Sequence, residues 1–240
     1  MHMKYFEKTT LLFLVIFSLY SNECKAQIDT TFWFAAPWVT PNHANNVPMA
    51  FLFSTFGNST TIRLRQPAGT YDTTFTVAAN SLFSKDMSHL LNDLETKPAN
   101  TVLTSGFEIT SDFPIIVVYD FLSSANNPET YSLKGQNGMG YEFVTPFQTK
   151  WRNQNISGID PKQQINIVAA EDNTTIFITP KCAVVGHPAN VTYSVFLPFA
   201  GSSYTCENMV QNTNAPPILD EAANVRIRIF GTFHQNLRVK

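Results

Sequence analysis

The amino-acid sequence predicts an all-β protein, an antiparallel β-sandwich architecture in two related halves with one short helix. A strand, turn and strand unit occurs twice: Phe51-Leu52-Phe53-Ser54-Thr55-Phe56, Gly57 to Thr61, Ile62 to Pro67, and then Ile165-Asn166-Ile167-Val168-Ala169-Ala170, Glu171 to Thr175, Ile176 to Pro180. Apolar residues at period two flank each turn, as half-buried strands require. The composition agrees: 20 phenylalanines and only 14% charged residues suit pleated, half-buried surfaces. Helical periodicity, by contrast, is confined to one short stretch.

The first 26 residues read as a secretory signal: Lys4 and Lys8, the apolar run Leu11 to Phe17, then a polar stretch ending Cys24-Lys25-Ala26. The run is too short to span a bilayer. Cleavage is expected between Ala26 and Gln27, giving a secreted or cell-surface protein with no transmembrane segment in the mature chain. A lipid-bearing Cys24 is disfavoured because Glu23 precedes it. Removing three lysines and two glutamates leaves 16 − 3 = 13 positive and 18 − 2 = 16 negative side chains, a net charge of 13 − 16 = −3. Nothing forms the basic stripe that phosphate recognition needs, so nucleic acid is not an expected partner.

Along the mature chain, Thr31 to Pro37 reads as a first strand stopped by proline, and Pro41 to Pro48 as loop. Phe51 to Pro67 is expected to be a hairpin, and Asp72 to Val77 to continue its sheet. Met87, Leu90, Leu91 and Leu94, spaced i, i+3, i+4, i+7 behind Ser84 as a cap, predict the short helix. Gly106 to Tyr119 is expected to be a second hairpin bent at Ser111-Asp112-Phe113-Pro114, its apolar return Ile115 to Tyr119 lying centrally. The glycines between Gly135 and Gly140 read as a flexible link and set a boundary between residues 27–138 and 139–240. In the second half Val191 to Leu197 and Val225 to Phe230 follow the second hairpin. Thr61 and Thr175 lie 175 − 61 = 114 residues apart, and the same offset carries Phe51 onto Ile165 and Ile62 onto Ile176.

Ile165 to Pro180, together with Ile109 to Val117, Met139-Gly140-Tyr141-Glu142-Phe143 and Thr31-Phe32-Trp33-Phe34-Ala35, resembles the IgGFc-binding protein N-terminal domain family. The resemblance covers most of residues 30 to 200. It implies a secreted or surface β-rich adhesion module without catalysis, whose partner is a protein or glycoprotein, Fc or mucin-like. It also implies modules beyond residue 240, so the chain is expected to be a shortened member or a piece of a longer surface protein.

Cys182 and Cys206 flank a predicted hairpin, and in an oxidising compartment they are expected to form a disulfide, worth roughly 3 kcal/mol for a loop of that length, with two buried free thiols as the other reading. Asn58-Ser59-Thr60 and Asn173-Thr174-Thr175 are formal glycosylation acceptors, but Asn and Thr also bond their own backbone at turns. Glu171-Asp172-Asn173 lacks the spacing of a calcium loop, and His43, His89, His187 and His234 are scattered. No cofactor and no metal are expected. Neither a nucleophile elbow nor a phosphate loop occurs. Asp120 and Glu129 are the pair a carbohydrate-active enzyme would use, and a spacer in a longer envelope protein is the other alternative. Trp38 and Trp151, both beside loop segments, are the expected ligand contacts.

Overall fold

A computed structural model describes residues 27–38, 49–121, 129–146, 150–151, 162–209, 211–212 and 224–231. The structure is all-β and mostly antiparallel, with 57% strand, 6% helix and, among the described residues, no helix of seven residues or more. The expected sheet class therefore holds, but the way the strands join differs from the sequence reading.

In the first half, β1 (Ile28–Phe34), β2 (Met49–Ser54), β3 (Thr60–Arg65), β4 (Asp72–Val77), β5 (Leu82–Asp86), β6 (Val102–Leu103), β7 (Phe107–Phe121) and β8 (Glu129–Ser132) follow in order. All but β6 belong to one curled seven-stranded sheet. Its spine is β7, a strand of 15 residues. On one edge, β3 lies along residues 108–111 and β2 along residues 116–121; on the other, β1 and β8 follow one another. The expected Phe51 to Pro67 hairpin is thus corrected: β2 and β3 do not pair, but run the same way, end to end, along β7. Likewise β4 pairs with β3 and β5 with β2.

The second expected hairpin, Gly106 to Tyr119, is also a single strand. Between the pairs Thr31 with Thr110 and Asp29 with Ile115, two steps on β1 face five on β7 (31 − 29 = 2; 115 − 110 = 5). Residues 111–114 take up the difference as a bulge, which bends the strand without reversing it. Pro114 falls where no ladder donor is needed. Buried side chains alternate on either side, Phe107 and Ile109 before the bulge and Ile115, Val117, Tyr119 and Phe121 after it. The expected helix shrinks to a 3-10 turn, Ser88–Leu90, and the single turn α1 (Leu91–Leu94). Ser84 lies in β5 and caps nothing there; instead Asp86 accepts hydrogen bonds from the Ser88 N–H (2.8 Å) and Oγ–H (2.6 Å).

The second half contains β9 (Glu142–Pro146), β10 (Lys150–Trp151), β11 (Lys162–Val168), β12 (Thr174–Pro180), β13 (Tyr193–Leu197), β14 (Ser203–Met209), β15 (Gln211–Asn212) and β16 (Asn224–Gly231). Again the expected hairpin partners, β11 and β12, do not pair with each other. β11 pairs with β14, and β12 with β13 and β16. This is the first half's pairing map. Ile62 faces Phe75 and Ser111, and Ile176, 114 residues on, faces Val195 and Ile229. Phe53 faces Phe83, as Ile167 faces Tyr204. Phe32 faces Ile109, as Phe143 faces Ile227. The offset is 114 for β2 and β3, 195 − 75 = 120 for β4, 204 − 83 = 121 for β5 and 229 − 111 = 118 for β7.

Each half has its own core. The first is aromatic, built on Phe32, Phe34, Phe51, Phe53, Phe107, Tyr119 and Phe121. The second holds Ile167, Ile176, Ile178, Leu197, Ile227 and Ile229 with Tyr204 and Cys206. Burying each such side chain is worth about 1.5–3 kcal/mol. Between the halves runs a seam of polar contacts beside a small apolar cluster in which Trp33 and Ala35 meet Val168. β6 adds to the edge of β14, and the Asn100 N–H donates to Thr205 O (3.0 Å). Ser105 and Ser203 hydroxyls meet at 3.0 Å, and the Thr205 hydroxyl lies 3.0 Å from Thr96 O and 2.8 Å from Asn166 Oδ1. Hydrogen-bonded pairs fix a docking register that an apolar contact would leave loose. The glycines after Leu133 are likewise fastened: Asp29 Oδ2 accepts from Gln136 N–H at 2.7 Å, so this stretch is no flexible link.

Candidate binding surface at the two corners

Where β2 passes into β3, the chain changes from one part of the sheet to the other, and β4 passes into β5 directly beside it. The two crossings are tied together by Thr55 N–H to Ser81 O (3.0 Å) and Asn80 N–H to Phe56 O (2.7 Å). The second half repeats this corner. Ala169 N–H donates to Ser202 O (2.9 Å), and these are the same positions, since 55 + 114 = 169 and 81 + 121 = 202. Asn80 has φ +52° and Gly201, its equivalent at 80 + 121, has φ +83°. Asn and Gly are the residues that adopt this left-handed region at least cost.

Glu171-Asp172-Asn173, whose clustered oxygens lack calcium-loop spacing, is part of the second corner. Asp172 Oδ1 accepts the Ala200 N–H (2.8 Å), the Thr174 hydroxyl donates to Glu171 O (2.9 Å), and Asn173 takes φ +58°. Its oxygens fasten the corner. Both corners also carry large apolar side chains into solvent. At the first, Phe56 is 43% and Leu82 70% exposed; at the second, Phe196 is 53% and Phe199 57% exposed. A ladder of rings joins the first corner to the core: Phe53, fully buried, to Phe75 at 5.3 Å, and Phe75 to the exposed Phe83 at 5.1 Å. Lys85 Nζ lies 5.8 Å from the Phe75 ring centre, where a cation is attracted to the ring face.

The sequence reading missed these side chains, although a signal was there. Leu82-Phe83 and Phe196-Leu197 are consecutive apolar residues in strands of period two, so one of each pair must face outward. The tryptophans are placed differently. Trp38 is half-buried beside the seam; its backbone N–H donates to Gln164 Oε1 (3.0 Å), and Gln164 Nε2 donates to the buried Glu207 (2.9 Å). Trp151 belongs to β10, which pairs in parallel with β15, and its side chain lies outside the described residues. Ala26 lies outside them too, and Gln27 is the first described residue, with φ +72°. Trp38 and Trp151 are not brought together with the corners by any described contact.

Cys182 and Cys206, the pair expected to form a disulfide, both pack in the second core, and burial pushes the Cys206 thiol up to about 11. The Tyr193 hydroxyl donates to Cys206 Sγ (3.5 Å), and burial raises the Tyr193 and Tyr204 phenols, the latter to about 12. Tyr204 also donates to Asn100 Oδ1 (2.6 Å), which contacts His187 Nε2 (2.9 Å). The His187 ring stacks on Tyr193 with centres 3.4 Å apart. Asn100 Oδ1 accepts only, so Nε2 carries the proton. The cluster pins the 183–190 loop to the first half's connection.

Asp120 and Glu129 do not form a facing pair. Asp120 stands opposite Thr130, whose hydroxyl it accepts at 3.0 Å, whereas position 129 stands opposite Phe121. Positions 120 and 129, one step apart on paired strands, therefore belong to opposite faces of the sheet. Among the described residues, no group of three or more His, Cys, Asp or Glu is placed to hold a metal, and no helix is long and apolar enough to cross a membrane.

Fold and surface together define a duplicated, predominantly antiparallel β-protein with apolar side chains displayed at equivalent corners. Comparison with protein-family models, curated proteins and solved structures finds no match to this chain.

Proposed function

We propose that the chain is an exported, non-catalytic binding module, secreted or held at the cell surface, that presents its two corners to a protein or glycoprotein ligand. The observation that supports this is the exposure of Phe56, Leu82, Phe196 and Phe199 at corners tied together by backbone hydrogen bonds. Exposed apolar groups on a rigid frame are what protein interfaces use as anchors. The resemblance to the IgGFc-binding protein N-terminal domain makes Fc and mucin the ligands of first choice. Export rests on the N-terminal signal pattern, with release between Ala26 and Gln27.

The test is to immobilise the exported full-length chain and present Fc, mucin and glycan arrays. Saturable binding to one of them is expected, weakened about tenfold or more by Leu82→Ser or Phe199→Ser. Absence of saturable binding to every ligand would overturn the reading. Mass spectrometry of the exported chain should find Gln27 at its N-terminus.

A further inference from the structure

The second half is docked on the first by its own corner, and the duplication supplies both that corner and its seat twice. Val168, Ala170 and Ala200 of the second corner pack with Trp33 and Ala35 at the end of β1. Trp33 lies on the face of β1 opposite Phe32 and Phe34, which belong to the first core. Beside this contact the Gly106 N–H donates to Gly201 O (3.1 Å), and Ser203 and Tyr204 of β14 pair with Leu103 and Val102 of β6. Within one chain, then, the second corner is the inserted surface and the outer face of β1 receives it.

The pairing map locates the counterpart of each surface. For the inserted surface, the offsets of 114 and 121 carry Ala170 back to Phe56 (170 − 114 = 56) and Ser203 back to Leu82 (203 − 121 = 82). For the seat, Trp33 faces Glu108 and Val144 faces Arg226, and 108 + 118 = 226, so Val144 stands where Trp33 stands. Burial divides the four positions in two. Trp33 is 5% and Ser203 0% exposed, whereas Val144 is 56% and Leu82 70% exposed. The used pair lies between the halves, and the second pair, the first corner and the Val144 face of β9, is turned to solvent. Sizes are also exchanged between the pairs. In the contact that exists a large ring, Trp33, meets the small Ala170 and Ala200. In the second pair the large ring, Phe56, is on the corner and the smaller Val144 is on the seat, an exchange that conserves the volume filling the contact.

We propose that the second pair joins two copies of this chain: the first corner of one copy, carrying Phe56, Leu82 and Phe83, docks on the Val144 face of β9 in another, as the second corner docks on Trp33 within one chain. Two different surfaces meet, one from each copy, so the contact is heterologous and adds copies in a row. The inference does not rest on the proposed ligand. Ligand and second copy compete for the first corner, while Phe196 and Phe199 serve the ligand alone.

Sedimentation of the exported full-length chain, with no ligand present, tests it. The wild type is expected to pass from monomer to heavier species as its concentration rises. Leu82→Asp and Val144→Asp, both at exposed positions that the fold does not need, should each weaken this association about tenfold or more. Mixing the two variants should restore a species of two chains, because each supplies the surface that the other lacks. Phe199→Ser should leave association unchanged. A wild type that stays monomeric at every concentration would overturn the proposal, as would association that survives Val144→Asp or mixed variants that fail to pair. A chain that associates in the expected pattern yet binds none of the ligands presented to it would sink the proposed function and leave this inference standing.

Discussion

The two halves share a pairing map and differ in what fills it. In the first, Phe53 and Phe83 face one another at the position where the second has Ile167 and Tyr204, and Phe75 stands where the second has Val195. Aromatic rings 4.7–6.3 Å apart knit the first core, while branched aliphatics with a phenol and a thiol fill the second. The same topology therefore follows from alternation and register, and tolerates wholesale change of core residues provided volume is filled. What the halves do not share is the seam. There the first half's connection, from Thr96 to Gly106, lies against β14 of the second.

The largest effect should come from testing whether that seam makes the halves one cooperative unit. Phe53→Ala removes a fully buried ring and should cost about 3–5 kcal/mol; Ile167→Ala at the equivalent position should cost about 2–5 kcal/mol. Urea unfolding followed by tryptophan fluorescence and by circular dichroism should give coincident single transitions in both variants. Two separate transitions, each shifted by its own variant, would show halves that fold alone.

The corners sharpen the comparison next. Gly201 holds φ +83°, and a Cβ there would lie 2.8 Å from Pro67 Cδ and 3.0 Å from Ala68 N, in the other half. Gly201→Ala should cost about 2 kcal/mol or more, from the left-handed backbone together with the clash. Asn80→Gly, at the equivalent corner, should stay within about 0.5 kcal/mol. Thermal melts of the two variants check the asymmetry.

Much of this was legible in the sequence, and the failures have one physical origin. Period-two patterning located the strands on both sides of each turn, including Phe51 to Ser54 and Ile176 to Pro180, because alternation reports a half-buried pleat. It could not report partners. Gly57-Asn58-Ser59 and Glu171-Asp172-Asn173 have hairpin composition, yet each turns a corner, since β7 and β16 supply the neighbours from far along the chain. Pro114 punctuates a bulge where a reversal was expected. The 114-residue offset was visible for β2 and β3 alone, because a longer β3 to β4 connection in the second copy shifts later strands to 120 and 121. At the candidate binding surface, the sequence marks Trp38 and Trp151 only by their proximity to loops, whereas the solvent-facing apolar groups sit at corners that exist only once strand partners are known.

Alkaline pH should separate the halves more gently. Burial raises the Cys206 thiol from 9.0 to about 11, so the folded chain keeps a proton that the unfolded chain loses. Its contribution is complete below pH 9 and is lost as pH rises toward 11, on the order of 1–2 kcal/mol. The buried phenol Tyr119 in the first core, also raised by burial, starts from 10.0 and does not act in the window from 9 to 10. Denaturation midpoints should therefore begin to fall above pH 9. Cys206→Ala, whatever it costs in packing, should move that onset to pH 10; an unchanged onset would remove the thiol from the account.

The smallest difference concerns one hydroxyl in each half. Thr60 and Thr174 are equivalent, 114 residues apart, and both are buried. The Thr174 hydroxyl donates to Glu171 O at 2.9 Å, whereas Thr60 Oγ1 has no hydrogen-bond partner among the described residues. Valine is nearly the same shape, so Thr174→Val should lose about 1 kcal/mol with its hydrogen bond, leaving the Glu171 carbonyl short of a donor. Thr60→Val should be neutral or stabilising by up to about 1 kcal/mol, because it removes a buried polar group that gains nothing in return. Chemical denaturation of both variants gives the sign directly. Equal losses would mean that Thr60 has a hydrogen-bonding role of its own and that the two turns are held alike; opposite signs would mean that only the second turn uses its threonine to hold Glu171 in place.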